Sequence, residues 1–394
     1  MKHIAMYIGS LVKGGAERVM CNLARYFYSE GYKVTLVTTY LADEEYDVPE
    51  GNWHRTPADG CSELEVLTPE DKPVKVWIDQ KGDGIDRVFT ALPINDRKGR
   101  ISNFFKREQI LRDTWKELKP DVILSFLGKN NIMAIKTAKG LGIPVVVSVR
   151  SNPSREYGSR SLDLSMRYYF PKAAGVVVQT TEAAEYFGDR VKKKILPNSI
   201  HPDFINRDIV PFDSRAKEIV TVGRLDDNKN QSLLIKAFKE IEKDFPDYRV
   251  VLYGDGEKRK EFESMAPDSV KFMGRVSDVP DRIAGSLVFV LTSRQEGYPN
   301  ALIEAMSLGL VCISTDCPCG GPRDLIKNGE NGLLIPMAGD EEMVKELSDA
   351  LRRVLTDKEL AEKMSQNAVK VRDDYNPDII NGQWKDYLEG VMNK

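Results

Sequence analysis

The hydrophobic positions repeat one order twice along the chain. A short apolar run rich in β-formers meets a glycine turn, and an amphipathic stretch of helical period follows. In the first half the run is His3–Ile8 and the turn is Gly14-Gly15. Ala16, Val19, Met20, Leu23, Ala24 and Phe27 then recur at helical spacing and predict one continuous apolar face. Val34–Thr38, Asp121–Phe126, Val145–Val149 and Gly175–Gln179 read as further strands, alternating with helical stretches such as Asn130–Lys139. In the second half the predicted strands are Glu218–Val222, Arg249–Gly254, Val270–Phe272, Leu287–Leu291 and Val311–Ser314, with helices at Gln231–Lys243 and Ala301–Gly309. Nearly unbroken apolar strands separated by amphipathic helices mark parallel sheets covered on both faces, so both halves read as doubly wound α/β domains.

A length of 394 residues suits two such domains. The stretch 198–213 has few periodic apolar positions and is punctuated by Pro202 and Pro211, which places a linker there. The first domain is then 1–197 and the second 214–374. Residues 43–93 break the first half's rhythm with Asp, Glu, Pro and Gly. Short alternating runs within them, Val74–Ile78 and Arg87–Leu92, suggest a small antiparallel excursion. The tail 375–394 carries a helical pattern containing Trp384, Tyr387 and Leu388.

Composition narrows the function. Lys+Arg at 57 against Asp+Glu at 60 leaves a net charge of −3, so no global field draws nucleic acid to this surface. Affinity for phosphate or membrane must come from local clusters. Cys21, Cys61, Cys312, Cys317 and Cys319 are an odd set, and Cys317-Pro318-Cys319 lacks the spacing of a CxxC zinc or redox motif. Reduced thiols are expected. The N-terminal apolar run is too short for a secretory leader, and no stretch reaches the about 20 apolar residues of a membrane span. A cytoplasmic protein is therefore expected. Three histidines leave little room for histidine chemistry.

Local clusters do appear. Gly14 and Gly15 stand where a strand turns into a helix, where backbone N–H groups attract phosphate, although a plain tight turn explains a glycine pair equally well. The segment is neither a GxxxxGK[ST] loop nor a full GxGxxG fingerprint. Gly223-Arg224 closes a predicted strand and Lys229 follows it, which puts two cations at the sheet edge where open α/β folds bind ligands. Gly254-Asp255-Gly256 forms a second close-approach loop after the next strand. In Glu296-Gly297-Tyr298-Pro299-Asn300-Ala301-Leu302-Ile303-Glu304, Pro299 suits the first helical position and brings the Asn300 and Ala301 amides to a positive helix end. Glu296 and Glu304 are two carboxylates that could grip sugar hydroxyls at two points on one ligand, although a chance pair of glutamates is common. Asp226-Asp227 reads as solvated loop rather than a metal pair. Finally, Arg97, Lys98, Arg100, Lys106 and Arg107 surround Phe104 and Phe105. This is either a solvated basic helix face with its phenylalanines in the core, or a patch for an anionic membrane surface and a lipid-diphosphate acceptor.

As a set, GGAER, GRLDDNKN, YGDGE and EGYPNALIEAM resemble family 4 retaining glycosyltransferases of the GT-B fold. The chain is similar in particular to bacterial enzymes that extend lipid-linked or surface polysaccharides, N-acetylgalactosaminyltransferases among them. The likeness covers nearly the whole chain and is weakest across 43–93. It implies two Rossmann-like domains facing across a cleft, with a C-terminal helix crossing back to the first domain. By the same resemblance, Arg224 and Lys229 neutralise a departing nucleoside diphosphate. Glu304 binds ribose, Glu296 contacts donor sugar hydroxyls, and the backbone around Tyr298–Asn300 meets sugar or phosphate. Gly15 lets its loop close over the diphosphate. No metal and no cofactor are implied. Many relatives carry a histidine after the strand resembling Val145–Val149. Here Arg150 stands there, followed by Asn152, serving either a positioning role or an acceptor phosphate.

The implied reaction is transfer of a hexose or N-acetylhexosamine from a UDP-sugar to a lipid-linked (polyprenyl-diphosphate) or polysaccharide acceptor, by front-face displacement. Two other classes stay open: a sugar-nucleotide epimerase of similar shape, and a non-catalytic nucleotide-sugar-binding protein. The intact set of Arg224, Lys229 and Glu304 weighs against the last.

Overall fold

A computed structural model describes residues 1–57, 59–79, 84–92 and 99–394, apart from the side chains of Arg100 and Ile101; Arg97 and Lys98 lie outside the described residues. The chain forms two compact units. Unit 1 comprises Met1–Val178, Ala184–Leu196 and Asn381–Lys394, and unit 2 comprises Gln179–Ala183 and Pro197–Ile380.

Unit 1 is built on strands β1 (His3–Ile8), β2 (Lys33–Thr38), β3 (Trp53–His54), β4 (Cys61–Leu67), β5 (Pro73–Asp79), β6 (Asp86–Phe89), β7 (Val122–Phe126), β8 (Val145–Ser148), β9 (Gly175–Val178) and β10 (Lys193–Ile195). Seven of these make one parallel sheet in the order β10-β9-β8-β7-β1-β2-β6. Every residue of β1 is buried, as expected of a central strand covered on both faces. The helix Gly15–Ser29 lays Met20, Cys21, Leu23, Ala24 and Phe27 against the sheet, the face set by their spacing.

The region 43–93 differs from expectation. Only β3, β5 and β4 form the antiparallel excursion. The run Arg87–Leu92 does not join it: β6 pairs in parallel with β2, Leu36 opposite Arg87, and closes the main sheet. A charged residue inside an edge strand reads as solvent-facing, but Arg87 is buried against Glu45 and so fits the sheet.

Residues 381–394 complete unit 1 as part of the helix Pro377–Met392. Trp384 is buried with its ring 6.2 Å from that of Phe126. Tyr387 lies so near β9 that a Cβ on Gly175 would fall 1.7 Å from its hydroxyl. Tyr32 donates to Glu389, and Lys385 pairs with Glu30 at 2.6 Å.

Unit 2 holds β11 (Ala216–Val222), β12 (Arg249–Tyr253), β13 (Val270–Gly274), β14 (Ser286–Leu291), β15 (Val311–Thr315) and β16 (Leu333–Ile335), all parallel, in the order β13-β12-β11-β14-β15-β16. Alternate residues face two cores. Ile219, Val250, Leu252, Val288, Val290, Val311 and Ile313 pack with Leu234, Phe238, Leu347 and Leu351. Val220, Val251, Phe289, Leu291 and Cys312 pack with Leu302, Ile303 and Met306. Two buried faces are why the strands read as continuous apolar runs.

The stretch expected as a linker, 198–213, is largely part of this unit. Pro202–Ile205 is a helical turn, and Ile200 and Phe204 are buried in the second core. Its prolines start local structure here rather than marking a free connection. Among the described residues no helix is long and apolar enough to cross a membrane.

Candidate active site

In unit 2 the strand order reverses at β11, so the loops leaving β11 and β14 diverge above the sheet and open a crevice between neighbouring strands. The chain leaving β11 is Gly223–Asn230, and the chain leaving β14 runs from Thr292 to Pro299. Their backbones are stitched together: Arg294 N donates to Asn228 O at 2.7 Å, Asn228 Nδ2 to Gln295 O at 3.1 Å, and Thr292 Oγ1 to Lys229 O at 2.8 Å.

The side chains meet at the same place. Lys229 Nζ lies 2.5 Å from Glu296 Oε1, and both are largely shielded from water. Ser293 Oγ donates to the same carboxylate oxygen at 2.6 Å. Asp226 Oδ1 accepts from Lys229 N at 2.8 Å, while its other oxygen lies 3.0 Å from Arg224 Nη2. Asp226 thus organises both cations, which corrects its reading as solvated loop; Asp227 is the exposed one and pairs with Lys258 at 3.2 Å. Arg224 itself is three-quarters exposed. Its carbonyl accepts from the buried Gln231 at 2.8 Å, and Asn230 turns the chain into the next helix in the left-handed region, φ 50°.

The loop after β12 packs under this one without side chains between them. Gly254 has φ 134°, and a Cβ there would lie 1.9 Å from Gly223 O; at Gly256 it would lie 2.3 Å from Leu225 O. Gly223 N in turn donates to Tyr253 O at 2.9 Å, and Leu225 N to Asp255 O at 3.1 Å. Asp255 Oδ1 closes onto Gly256 N at 2.8 Å.

The helix Asn300–Ser307 begins one residue before the predicted Ala301, and Pro299, expected at the first helical position, is instead the cap, its carbonyl accepting from Leu302 N at 3.0 Å and Ile303 N at 3.2 Å. The proline's closed φ suits either place. Asn300 Oδ1 accepts from Asn198 Nδ2 at 2.6 Å. Tyr298 and Glu304 are buried, Ala301 is half-buried, and Glu304 sits in the second turn. Asp226, Ser293, Asn198 and Gln231 are the residues missed by sequence reasoning. For Asp226 the signal was its place between the two cations; the other three had none.

In unit 1 the strand order reverses at β1 and β7. Gly14, φ −134° and ψ 170°, caps the helix that begins at Gly15, and the Glu17 carboxylate folds back over it, Oε2 lying 2.4 Å from where a Cβ on Gly14 would stand. Leu127, at the end of β7, has φ 73°, an unusual conformation for leucine. Arg150 is buried after β8, its guanidinium 5.1 Å from the Phe126 ring centre. Burial pushes that guanidinium down to about 9 against the opposing pull of Glu156, so it remains charged at neutral pH. Asn152 caps the helix Pro153–Glu156, its Oδ1 accepting from Ser154 N at 3.0 Å.

In the helix Arg100–Leu118, Phe104 and Phe105 are 45% and 62% exposed, which removes the reading that puts them in the core. Lys136 Nζ lies 4.8 Å from the Phe104 ring centre and Arg107 is 5.7 Å from that of Tyr40; Lys106 and Arg107 are half-buried.

Residues 14–198 match the glycosyl transferase 4-like domain and residues 203–371 the glycosyl transferases group 1 domain. The chain is 28% identical over 401 residues, covering all of both proteins, to the Campylobacter jejuni GalNAc-alpha-(1->4)-GalNAc-alpha-(1->3)-diNAcBac-PP-undecaprenol alpha-1,4-N-acetyl-D-galactosaminyltransferase. It is 25% identical over 397 residues to that organism's N-acetylgalactosamine-N,N'-diacetylbacillosaminyl-diphospho-undecaprenol 4-alpha-N-acetylgalactosaminyltransferase, covering 95% of this chain and 98% of the relative. Among solved structures, Anabaena HepE in complex with UDP and glucose superposes with a TM-score of 0.73 at 18% identity, covering 98% of this chain and 99% of that one, a likeness of fold. With the two domain matches following one another along the chain and two Rossmann-like sheets beneath them, the protein belongs to the glycosyltransferases of the GT-B fold.

Proposed function

We propose that this glycosyltransferase moves a hexose or N-acetylhexosamine from a UDP-sugar to a polyprenyl-diphosphate-linked or polysaccharide acceptor, with retention and without a metal. The observation that carries the proposal is the pairing of Lys229 with Glu296 at the reversal point of unit 2, beside Arg224. The names of the two Campylobacter relatives specify undecaprenol-linked acceptors, and the HepE crystals hold UDP.

In the proposed step the bond between the sugar's anomeric carbon and the donor phosphate oxygen breaks with its electron pair going to the phosphate. The acceptor oxygen bonds to that carbon on the same face, and its proton passes to the departing phosphate oxygen. Charge grows on the diphosphate, where Arg224 and Lys229 stabilise it more in the transition state than in the ground state. Glu296 orients sugar hydroxyls and Glu304 the ribose. The Asn300 and Ala301 amides and the glycine loop at 254–256 allow close approach of the donor. In unit 1 the Gly14-Gly15 turn offers amides to a diphosphate, and Arg150 with Asn152 takes the acceptor.

Phe104 and Phe105, flanked by Lys106, Arg107 and Lys136, are proposed to rest on an anionic membrane surface that carries the acceptor. Incubation with labelled nucleotide sugars and a polyprenyl-diphosphate-linked glycan tests the function. Transfer from a UDP-sugar supports it; epimerisation, or binding without reaction, refutes it.

A further inference from the structure

We infer that the buried pair Arg87–Glu45 is a positioning device for the Gly14-Gly15 turn, setting the rate of transfer without touching substrate. The inference rests on the proposed reading of that turn as a place of diphosphate approach.

The pair is bidentate, Arg87 Nη1 lying 2.7 Å from Glu45 Oε2 and Nη2 2.9 Å from Oε1, with side-chain exposures of 0% and 7%. Arg87 is held from several sides. Its Nε donates to Thr38 Oγ1 at 3.1 Å, and its guanidinium lies 4.6 Å and 5.2 Å from the ring centres of Phe89 and Trp53. So anchored to β2 and β6, it fixes the Glu45 carboxylate.

Glu45 reaches past its own loop. Its Oε1 accepts from Ala42 N at 3.0 Å and from Leu11 N at 3.2 Å, and Leu11 belongs to the loop leaving β1. Tyr46 N donates back to Leu11 O at 2.9 Å, and Val12 forms an antiparallel bridge with Glu45. The loop after β1 is therefore pinned at Leu11 and Val12, immediately before Gly14. Beyond that pin, Gly14 supplies no capping side chain of its own, and the Glu17 carboxylate folds over the turn from inside the helix. A buried ion pair is a weak source of stability, often replaceable by apolar residues of similar volume. A geometric role in placing the first amides of the helix Gly15–Ser29 accounts for its presence.

The test compares the double variant Arg87→Met/Glu45→Leu, and separately Glu45→Gln, with the unaltered protein. The readouts are kcat and KM with the UDP-sugar that supports transfer, and thermal melting. Gly15→Val probes the turn directly. For the double variant the expected result is a melting point within a few degrees of the unaltered protein. Glu45→Gln, which leaves the Arg87 guanidinium buried without its charge partner, is expected to melt lower. In both, kcat falls about tenfold to a hundredfold and acceptor KM stays within about twofold. Should the double variant fail to fold, Glu45→Gln carries the test with the same expected loss. An unchanged kcat in the folded variants, with Gly15→Val impaired, overturns the positioning role. Full activity in Gly15→Val overturns the reading of the turn itself.

Discussion

Lys229 and Glu296 are joined at 2.5 Å across 67 positions of sequence, and the contact exists because β11 and β14 are neighbours in the sheet. Glu296 also receives the Ser293 hydroxyl, so in the proposed reaction it would keep a partner when a diphosphate draws the ammonium away. In that reaction the pair would hold the lysine ready without leaving an unpaired carboxylate behind. Replacing Lys229 by Ala is expected to lower kcat about 10²–10³-fold, the usual loss when one stabilising donor is removed from a developing anion.

Arg224→Ala is expected to cost turnover on the same scale while leaving the thermal midpoint nearly unmoved. Its side chain is three-quarters exposed, and exposed substitutions shift stability by no more than about 0.5 kcal/mol. Parallel melting and steady-state kinetics check both halves of this expectation; a large fall in melting temperature would reassign the residue to structure.

Gly254→Ala tests the close approach of two loops. The added Cβ would fall 1.9 Å from Gly223 O at φ 134°, so the Gly223–Asn230 loop must move. A loss of at least about 2 kcal/mol in unfolding free energy, with a raised donor KM, is expected by denaturant titration and kinetics.

Much of this was legible in the sequence. Strands such as β1 and β14 are buried on both faces, and that condition writes itself into the chain as continuous apolar runs. What was not legible came from partners distant in sequence. The run Arg87–Leu92 read as part of the antiparallel excursion because nothing near Arg87 announces its burial against Glu45. The strand β10 carries Lys193 and Lys194 on an exposed edge and has no apolar pattern to find. Asp226 resembled any loop aspartate until the fold of its own turn brought it onto the Lys229 amide. The outward stance of Phe104 and Phe105 was equally silent, since a helix face is read from periodicity and two adjacent aromatics fit either side.

The exposed pair gives a separate expectation. Phe104→Ser/Phe105→Ser should weaken binding to vesicles rich in anionic lipid by about tenfold or more, since each phenylalanine contributes up to about 3 kcal/mol when its ring is buried. The melting temperature should hold, as 45% and 62% of these residues is already in water. Co-sedimentation that is unaffected by the substitutions would discard the patch.

Thiol chemistry follows from burial. Burial pushes Cys21 and Cys317 up from their ordinary 9.0 to about 12, and pushes Cys312 up as well. Cys61 alone among the five is not buried. Iodoacetamide at pH 8 should label Cys61 in the native protein and all five after denaturation, read by mass spectrometry. The same shift has a sign for stability. Folded thiols titrate higher than unfolded ones, so their contribution is complete below pH 9 and is lost as pH rises from 9 towards 12. Denaturant midpoints should fall across that window.

The most direct measurement is the anomeric configuration of the product formed from an α-linked UDP-sugar and a polyprenyl-diphosphate-linked glycan in the presence of EDTA, read by NMR. An α-linked product formed at an undiminished rate is the predicted result. A β-linked product, or transfer that stops until a divalent metal is restored, would contradict it.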